Sequence, residues 1–190
     1  MKTVLLLFAT LFALPLLAQN RQLEVEPNHS TVGFRISISG FTEVTGKFTD
    51  YDIFLDWQDN DIAASSIQAE IQVASINTGI PDRDEHLRSE DFFDEATYPV
   101  ISFSSDSIQQ LNYAHFAAHG QLSMHGVSKN IVLPFEIVKI DGNTVGIRSR
   151  TTLNRLDYGV GGGFNHSSMP DFLAPEIQVE IDFWTRKKRE

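Results

Sequence analysis

Not one of the 190 residues is a cysteine. No disulfide can brace the fold, so the hydrophobic core has to hold it alone. No thiol can serve as a nucleophile, and no cysteine can carry a lipoprotein anchor. Basic residues are the next scarcity, with 15 Lys and Arg against 25 Asp and Glu, a formal charge of −10. Four of those bases crowd into Arg186-Lys187-Lys188-Arg189, which reads as a solvated end, so the body is more acidic still. Nucleic-acid binding depends on neutralising phosphates with bases, and this balance opposes it. Adhesion to an anionic membrane surface is disfavoured for the same reason. Long apolar runs are scarce too. The stretch Val4 to Leu17, broken by Thr10 and Pro15, falls short of the roughly 20 residues a membrane helix needs. Lys2 ahead of it and the small Ala18 behind it give the pattern of an export signal. The expectation is therefore a signal peptide over 1–18, cleaved before Gln19, and one domain over 19–190. That domain would be periplasmic or secreted, without stable membrane insertion.

Catalytic signatures are missing as well. No Gly-x-Ser-x-Gly elbow presents a serine. The run Gly159-Val160-Gly161-Gly162-Gly163 lacks the Gly-Lys-Ser/Thr ending of a phosphate loop and reads as a flexible rim. His115 and His119 have the spacing of a helical zinc pair but sit in a strand pattern. Four strand residues span roughly 13 Å, too far to share one ion, and their parity with Tyr113 and Gln121 puts them on the outer face. No metal site and no cofactor is expected. Asn28-His29-Ser30 and Asn165-His166-Ser167 match glycosylation sequons, which matter only in a eukaryotic secretory pathway.

What the chain does have is period-2 alternation, the mark of strands with one wet and one dry face. Val32, Phe34, Ile36 and Ile38 alternate with Gly33, Arg35 and Ser37. Ile67, Ala69, Ile71 and Val73 do the same, as do Ile177, Val179, Ile181 and Phe183. Less regular strands run from Tyr51 to Trp57, Val100 to Ser107, Tyr113 to Met124, Ile131 to Ile140 and Val145 to Leu153. Asp59-Asn60-Asp61 and Asp141-Gly142-Asn143 are turn signals. About eight strands, no repeat and no linker indicate an all-β domain. Closure into a barrel would remove vulnerable edges and leave room for a small ligand; a two-sheet sandwich has the same alternation. Twelve phenylalanines fall in residues 19–190, many on the apolar parity. They would be ordinary core in a filled barrel and a greasy lining in a hollow one.

One insert interrupts the strands. In Thr78 to Asp94, Pro81 suits a first helical position, and Asp82, Asp84 and Glu85 put negative charge on the first turn, where the helix dipole favours it. Leu87 is the only strongly apolar residue before Phe92-Phe93, so a short surface helix is expected, acting as lid or plug. Arg83, Asp84 and His86 here, and Arg155 with Asp157 after a strand, suit two roles: local ion pairs and caps, or bonds to a polar ligand head.

At these residues the sequence resembles the YceI-like family of exported, lipocalin-like barrels. The matching stretches begin with His29-Ser30-Thr31-Val32-Gly33-Phe34, Val44-Thr45-Gly46-Lys47-Phe48 and Ser75-Ile76-Asn77-Thr78-Gly79. They continue through Arg83-Asp84-Glu85-His86-Leu87, Asp91-Phe92-Phe93-Asp94, Tyr98-Pro99 and Ile101-Ser102-Phe103. Gly120 to Lys129, Asn154 to Gly159 and the closing strand from Pro175 complete the order. The resemblance implies a closed antiparallel lipocalin-like barrel of about eight strands with one short helical insert. It implies a long hydrophobic channel binding a polyisoprenoid lipid, such as an isoprenoid quinone or polyprenyl phosphate, and a homodimer. By parity the expected channel lining is Phe34, Ile36, Phe103, Phe116, Leu122, Leu133 and Phe135, with His29, Arg83, His86 and Arg155 at the head-group end or mouth. The expected role is non-enzymatic binding, transport or storage. The rival is an enzyme isomerising or hydrolysing an apolar lipid, with His29 or His86 as general base.

Overall fold

The computed structural model describes residues 20–141, 144–166, 169 and 172–187. The expected signal segment, Gly142 and Asn143 of the turn, Ser167 of the second sequon and the Lys188-Arg189 end of the tail lie outside them. Alternation becomes strand nearly everywhere it was read. In chain order these are β1 (Asn20–Val25), β2 (Thr31–Ile38), β3 (Thr42–Phe48), β4 (Tyr51–Gln58), β5 (Ser66–Gln72) and β6 (Ile76–Asn77), then α1 (Pro81–Arg88). After the helix come β7 (Val100–Gln110), β8 (His115–Met124), β9 (Val127–Asp141), β10 (Thr144–Asn154) and β11 (Leu173–Lys187).

Eight strands close an antiparallel barrel in the order β1-β4-β5-β7-β8-β9-β10-β11 and back to β1. The expectation of about eight strands counted β2 and missed the short β1, and the ring needs β1. Two strands share one edge of the 15-residue β11. Residues from Leu173 to Asp182 pair with β2, and Thr185 to Lys187 pair with β1. Where β1 gives way to β2, the Ser30 hydroxyl repairs the ladder. It donates to Glu26 O at 2.7 Å and accepts the Trp184 N–H at 3.0 Å. The branch β2-β3-β6 then continues beyond the ring and ends beside α1.

The two ends of the barrel differ. At the base, Trp57, Phe116 and Phe135 fill the bore. Phe116 stacks on Phe135 at 5.3 Å and meets Trp57 edge-on at 5.5 Å. Ala118 beside them is completely buried. Toward the other end the β9–β10 ladder stops. The two strands pair from Thr144 to Arg148, after which Val127–Phe135 bonds to β8 and Ser149–Asn154 to β11. Pro134, which has no N–H to give, stands where the pairing ends, and its carbonyl takes the buried Ser149 hydroxyl at 2.6 Å.

Helix α1 is short, polar and dependent on its surroundings, as an eight-residue helix must be. Gly79 enters it in the left-handed region (φ 81°). The buried Asp84 carboxylate accepts from Thr78 N–H at 2.8 Å and from the Thr78 hydroxyl at 2.5 Å. At its far end the Ser89 hydroxyl donates to His86 O at 2.8 Å, and Phe92, at 5% exposure, is driven into the barrel.

Candidate functional site

Above the packed base the inward-facing side chains enclose a cavity of about 370 Å³. Its walls come from alternate positions of consecutive strands, as a pleated wall requires. Phe34 and Ile36 project from β2, Ile53 from β4, Ile67, Ala69 and Ile71 from β5, and Phe103 from β7. Leu122, Leu133 and Phe135 follow on β8 and β9, with Ile177, Val179, Ile181 and Phe183 on β11. Six of the seven residues expected to line a channel do so. Phe116 does not: it lies one layer below the floor, buried between Trp57 and Phe135. Parity tells which face a strand residue occupies, but not its depth along the barrel.

The remaining wall was legible by the same alternation, at Ile53, Val179 and Ile181 for example. The aromatic cap was not. Phe92, Phe93, Phe164 and Phe172 also line the cavity from segments without strand periodicity. Phe92 and Phe164 lie 5.2 Å apart, Phe164 and Phe172 6.4 Å, and Phe93 meets Phe48 edge-on at 6.1 Å.

Among the described residues lining the cavity the ionisable side chains are Arg83, His86 and Arg155, and none of those described is acidic. Arg83 and His86 lie three residues apart on α1 and so share a face. Arg83 donates through Nε to the Thr78 hydroxyl at 2.7 Å and through Nη2 to Thr78 O at 3.0 Å. His86 Nε2 faces Asp91 at 3.1 Å, and its ring stands edge-on to Phe92 at 5.0 Å and to Phe164 at 5.5 Å. Arg155 is 8% exposed and begins the 3-10 turn Arg155–Tyr158. Among the described residues its guanidinium donates only to carbonyls: Ala174 (3.0 Å), Val160 (2.8 Å), Gly161 (2.9 Å) and, more weakly, Leu173 (3.3 Å). Burial pulls its pKa below the usual guanidinium value, but a guanidinium stays charged in proteins.

Glycine makes this cluster possible. A Cβ on Gly161 would lie 2.7 Å from Phe92 and 2.8 Å from Arg155 Nη1, so only a bare backbone fits between them. The glycine run read as a flexible rim is here a packed turn, with Val160 buried and Gly161 in the left-handed region (φ 65°). His125 holds the neighbouring turn, donating from Nδ1 to Tyr158 O at 3.0 Å. His29 is not at the mouth. It sits on an exposed turn between β1 and β2, its side chain 75% accessible and paired with Glu26 at 2.6 Å.

A family model for the YceI-like domain matches residues 23–184. The chain belongs to the YceI-like family. A UPF0312 protein of Pseudomonas savastanoi pv. phaseolicola is 33% identical over 172 residues, covering 88% of this chain and 86% of its own. Among solved structures, BcnA of Burkholderia cenocepacia superimposes with a TM-score of 0.77 at 21% identity, over 84% of this chain and 98% of its own. A polyisoprenoid binding domain from Saccharophagus degradans, implicated in plant cell wall breakdown, gives 0.73 at 17% identity, over 88% and 99%. At those identities the two structures establish a shared fold.

The ionisable groups around this YceI-like barrel are held by the following contacts. His86 with Asp91 resembles half of an acid–base pair, but among the described residues no hydroxyl is bonded to the other imidazole nitrogen. His115 and His119 lie on the outer face of β8, bonded to Asn112 and Gln109. Among the described residues no group of three or more His, Asp and Glu is placed to hold a metal, and no helix is long and apolar enough to cross a membrane.

Proposed function

We propose that this protein binds a long-chain polyisoprenoid lipid, an isoprenoid quinone or a polyprenyl phosphate, with its tail in the barrel cavity. It acts as a non-enzymatic carrier or store in the periplasm, exported by the signal segment at 1–18. The observation that carries this reading is the cavity itself: its walls are almost wholly hydrocarbon, and Arg83, His86 and Arg155 are the ionisable side chains among its described lining. A water-exposed metabolite would need polar partners along such walls, and a prenyl chain needs none. The volume falls in the usual range for ligand sites, about 300–1,000 Å³. Burying several hundred Å² of chain at about 25 cal/mol per Å² gives on the order of 10 kcal/mol gross. Ordering and association costs reduce that to micromolar or nanomolar binding. The fold shared with a polyisoprenoid binding domain supports the same ligand class. A homodimer follows from family resemblance alone.

Mass spectrometry of the organic extract from protein purified out of the periplasm tests this. A stoichiometric isoprenoid is expected. No lipid, even after incubation with a quinone and a polyprenyl phosphate, would overturn the reading.

A further inference from the structure

The wall of the cavity is not laddered all the way round. Pairing of β9 with β10 ends at Arg148 opposite Glu136. Beyond it no described strand pairs with residues 149–154 of β10 on that side, or with residues 127–135 of β9. Backbone direction shows what is left unpaired. Ile137 N–H donates to Ala114 O, just ahead of β8, at 2.8 Å. By the alternation of an antiparallel strand Phe135, Leu133 and Ile131 also face β8, while Pro134, Val132 and Asn130 face β10. Pro134 therefore stands where the next ladder bond would form, and it has no N–H to give. Proline is confined to sheet edges for this reason. Had the register of Arg148 with Glu136 continued, Val132 would face Thr152 as a ladder partner; instead the two flank an unpaired seam.

Hydrocarbon lies behind this seam. Ile131 and Leu133 on its β9 side and Thr151 and Leu153 on its β10 side line the cavity. Val132 puts an apolar side chain, 52% exposed, on the outer lip. Arg150 leans away from it, to Ile181 O at 3.2 Å and Asp182 at 2.6 Å on β11. Side chains bracket the seam at two places. Toward the base the Ser149 hydroxyl donates to Pro134 O at 2.6 Å. At the other end Lys129 meets Asp157 at 3.2 Å, and His125 Nδ1 bonds Tyr158 O at 3.0 Å. A solvent-exposed ion pair contributes little, and between the brackets parting the strands breaks no ladder bond among the described residues. The ends of the cavity are harder to clear. Trp57, Phe116 and Phe135 fill the base. At the far end Phe92 packs on Gly161, and α1 is tied to Thr78 through two hydrogen bonds from Arg83 and two to Asp84.

We propose that the lipid tail enters and leaves the barrel sideways, between residues 128–133 of β9 and 150–154 of β10, rather than past α1. This rests on the reading that the cavity takes a prenyl chain, and the test separates the two. Protein loaded with tritiated geranylgeraniol is mixed with excess phosphatidylcholine vesicles, and the rate and extent of transfer are followed. Because the chain has no cysteine, Val132→Cys with Thr152→Cys can form one intramolecular disulfide, a staple across the seam. Oxidation is expected to slow transfer about tenfold or more, with reductant restoring the rate and the final partition unchanged, since a gate alters rates and not equilibria. Gln121→Cys with Asn130→Cys, a staple between paired residues of β8 and β9, is expected to leave the rate as it was. Ser149→Ala, which removes the bracket toward the base, is expected to speed transfer about threefold to tenfold, the worth of one hydrogen bond. That variant needs no disulfide to form. A wild-type rate in the oxidised seam staple, or in Ser149→Ala where the staple does not close, would overturn the sideways route and leave lipid binding intact. Equal slowing by both staples would overturn it as well. Wild-type protein that takes up no geranylgeraniol would overturn the lipid reading itself.

Discussion

The base of the barrel and its hollow half are built from the same strands with the same alternation, yet one is solid and the other empty. At the base, Phe116 stacks on Phe135 and meets Trp57 edge-on, and Ala118, two residues along β8 from Phe116, is completely buried. Higher up, aliphatic residues such as Ile71, Val179 and Ile181 line the cavity instead. Phe34, Phe103 and Phe183 join them from the strands, and Phe92, Phe93, Phe164 and Phe172 from segments outside the strands. The β9–β10 ladder runs from Thr144 to Arg148, with a register shift between Gly146 and Ile147, and stops beside the cavity. An inward hydrophobic side chain thus has two fates: it touches its opposite number, or it waits for a ligand.

Replacing Phe116 by Ala tests the solid half most severely. A cost of about 3–5 kcal/mol is expected, read as a drop in the urea midpoint. A cost below about 1 kcal/mol would show that the base is not close-packed. A matched pair sharpens the contrast. Ala118→Leu should cost about 1–3 kcal/mol by overpacking. Ala69→Leu, at a cavity wall, should leave the melting temperature nearly unchanged and instead weaken lipid binding. Similar stability losses in both would erase the distinction between the two halves.

A smaller effect is expected at the plug. Asp84→Ala leaves the Thr78 N–H and hydroxyl without their acceptor, for about 1–2 kcal/mol. Amide exchange should rise across Thr78 to Ser89 but not at the base. The smallest lies outside the barrel. The Glu26 carboxyl is held below its usual pKa, chiefly by the hydrogen bond from His29 and to a lesser degree by Asn28. A depressed carboxylate pKa favours the fold above the unfolded value and loses that contribution as pH falls through the folded one. His29→Ala should raise the Glu26 titration midpoint seen by NMR, with little change in overall stability.

Much of the fold was legible in residue order. Where β-branched and aromatic residues alternate with polar ones, as in Ile177 to Phe183, the pleat leaves one choice of face. The helix was legible too, from Pro81 and the acids behind it. Strand β1 was not, because its few alternating residues match many non-strand segments until a partner is known. The head-group end was only half legible. Arg83, His86 and Arg155 stood out as charged residues in a run of strands, and so did His29, which the fold leaves on an outer turn.

By itself the sequence determined an all-β chain with one helical insert and an apolar set on the inner face, because the periods of helix and strand are properties of the local backbone. Tertiary structure alone decided which of those residues fill space and which surround it. Depth along a barrel depends on strand stagger and on where the ring closes. Here closure is set by β1 and β2 sharing one edge of β11, a contact between residues more than a hundred positions apart. The same cavity takes Arg155 from the turn after β10 and Arg83 and His86 from α1.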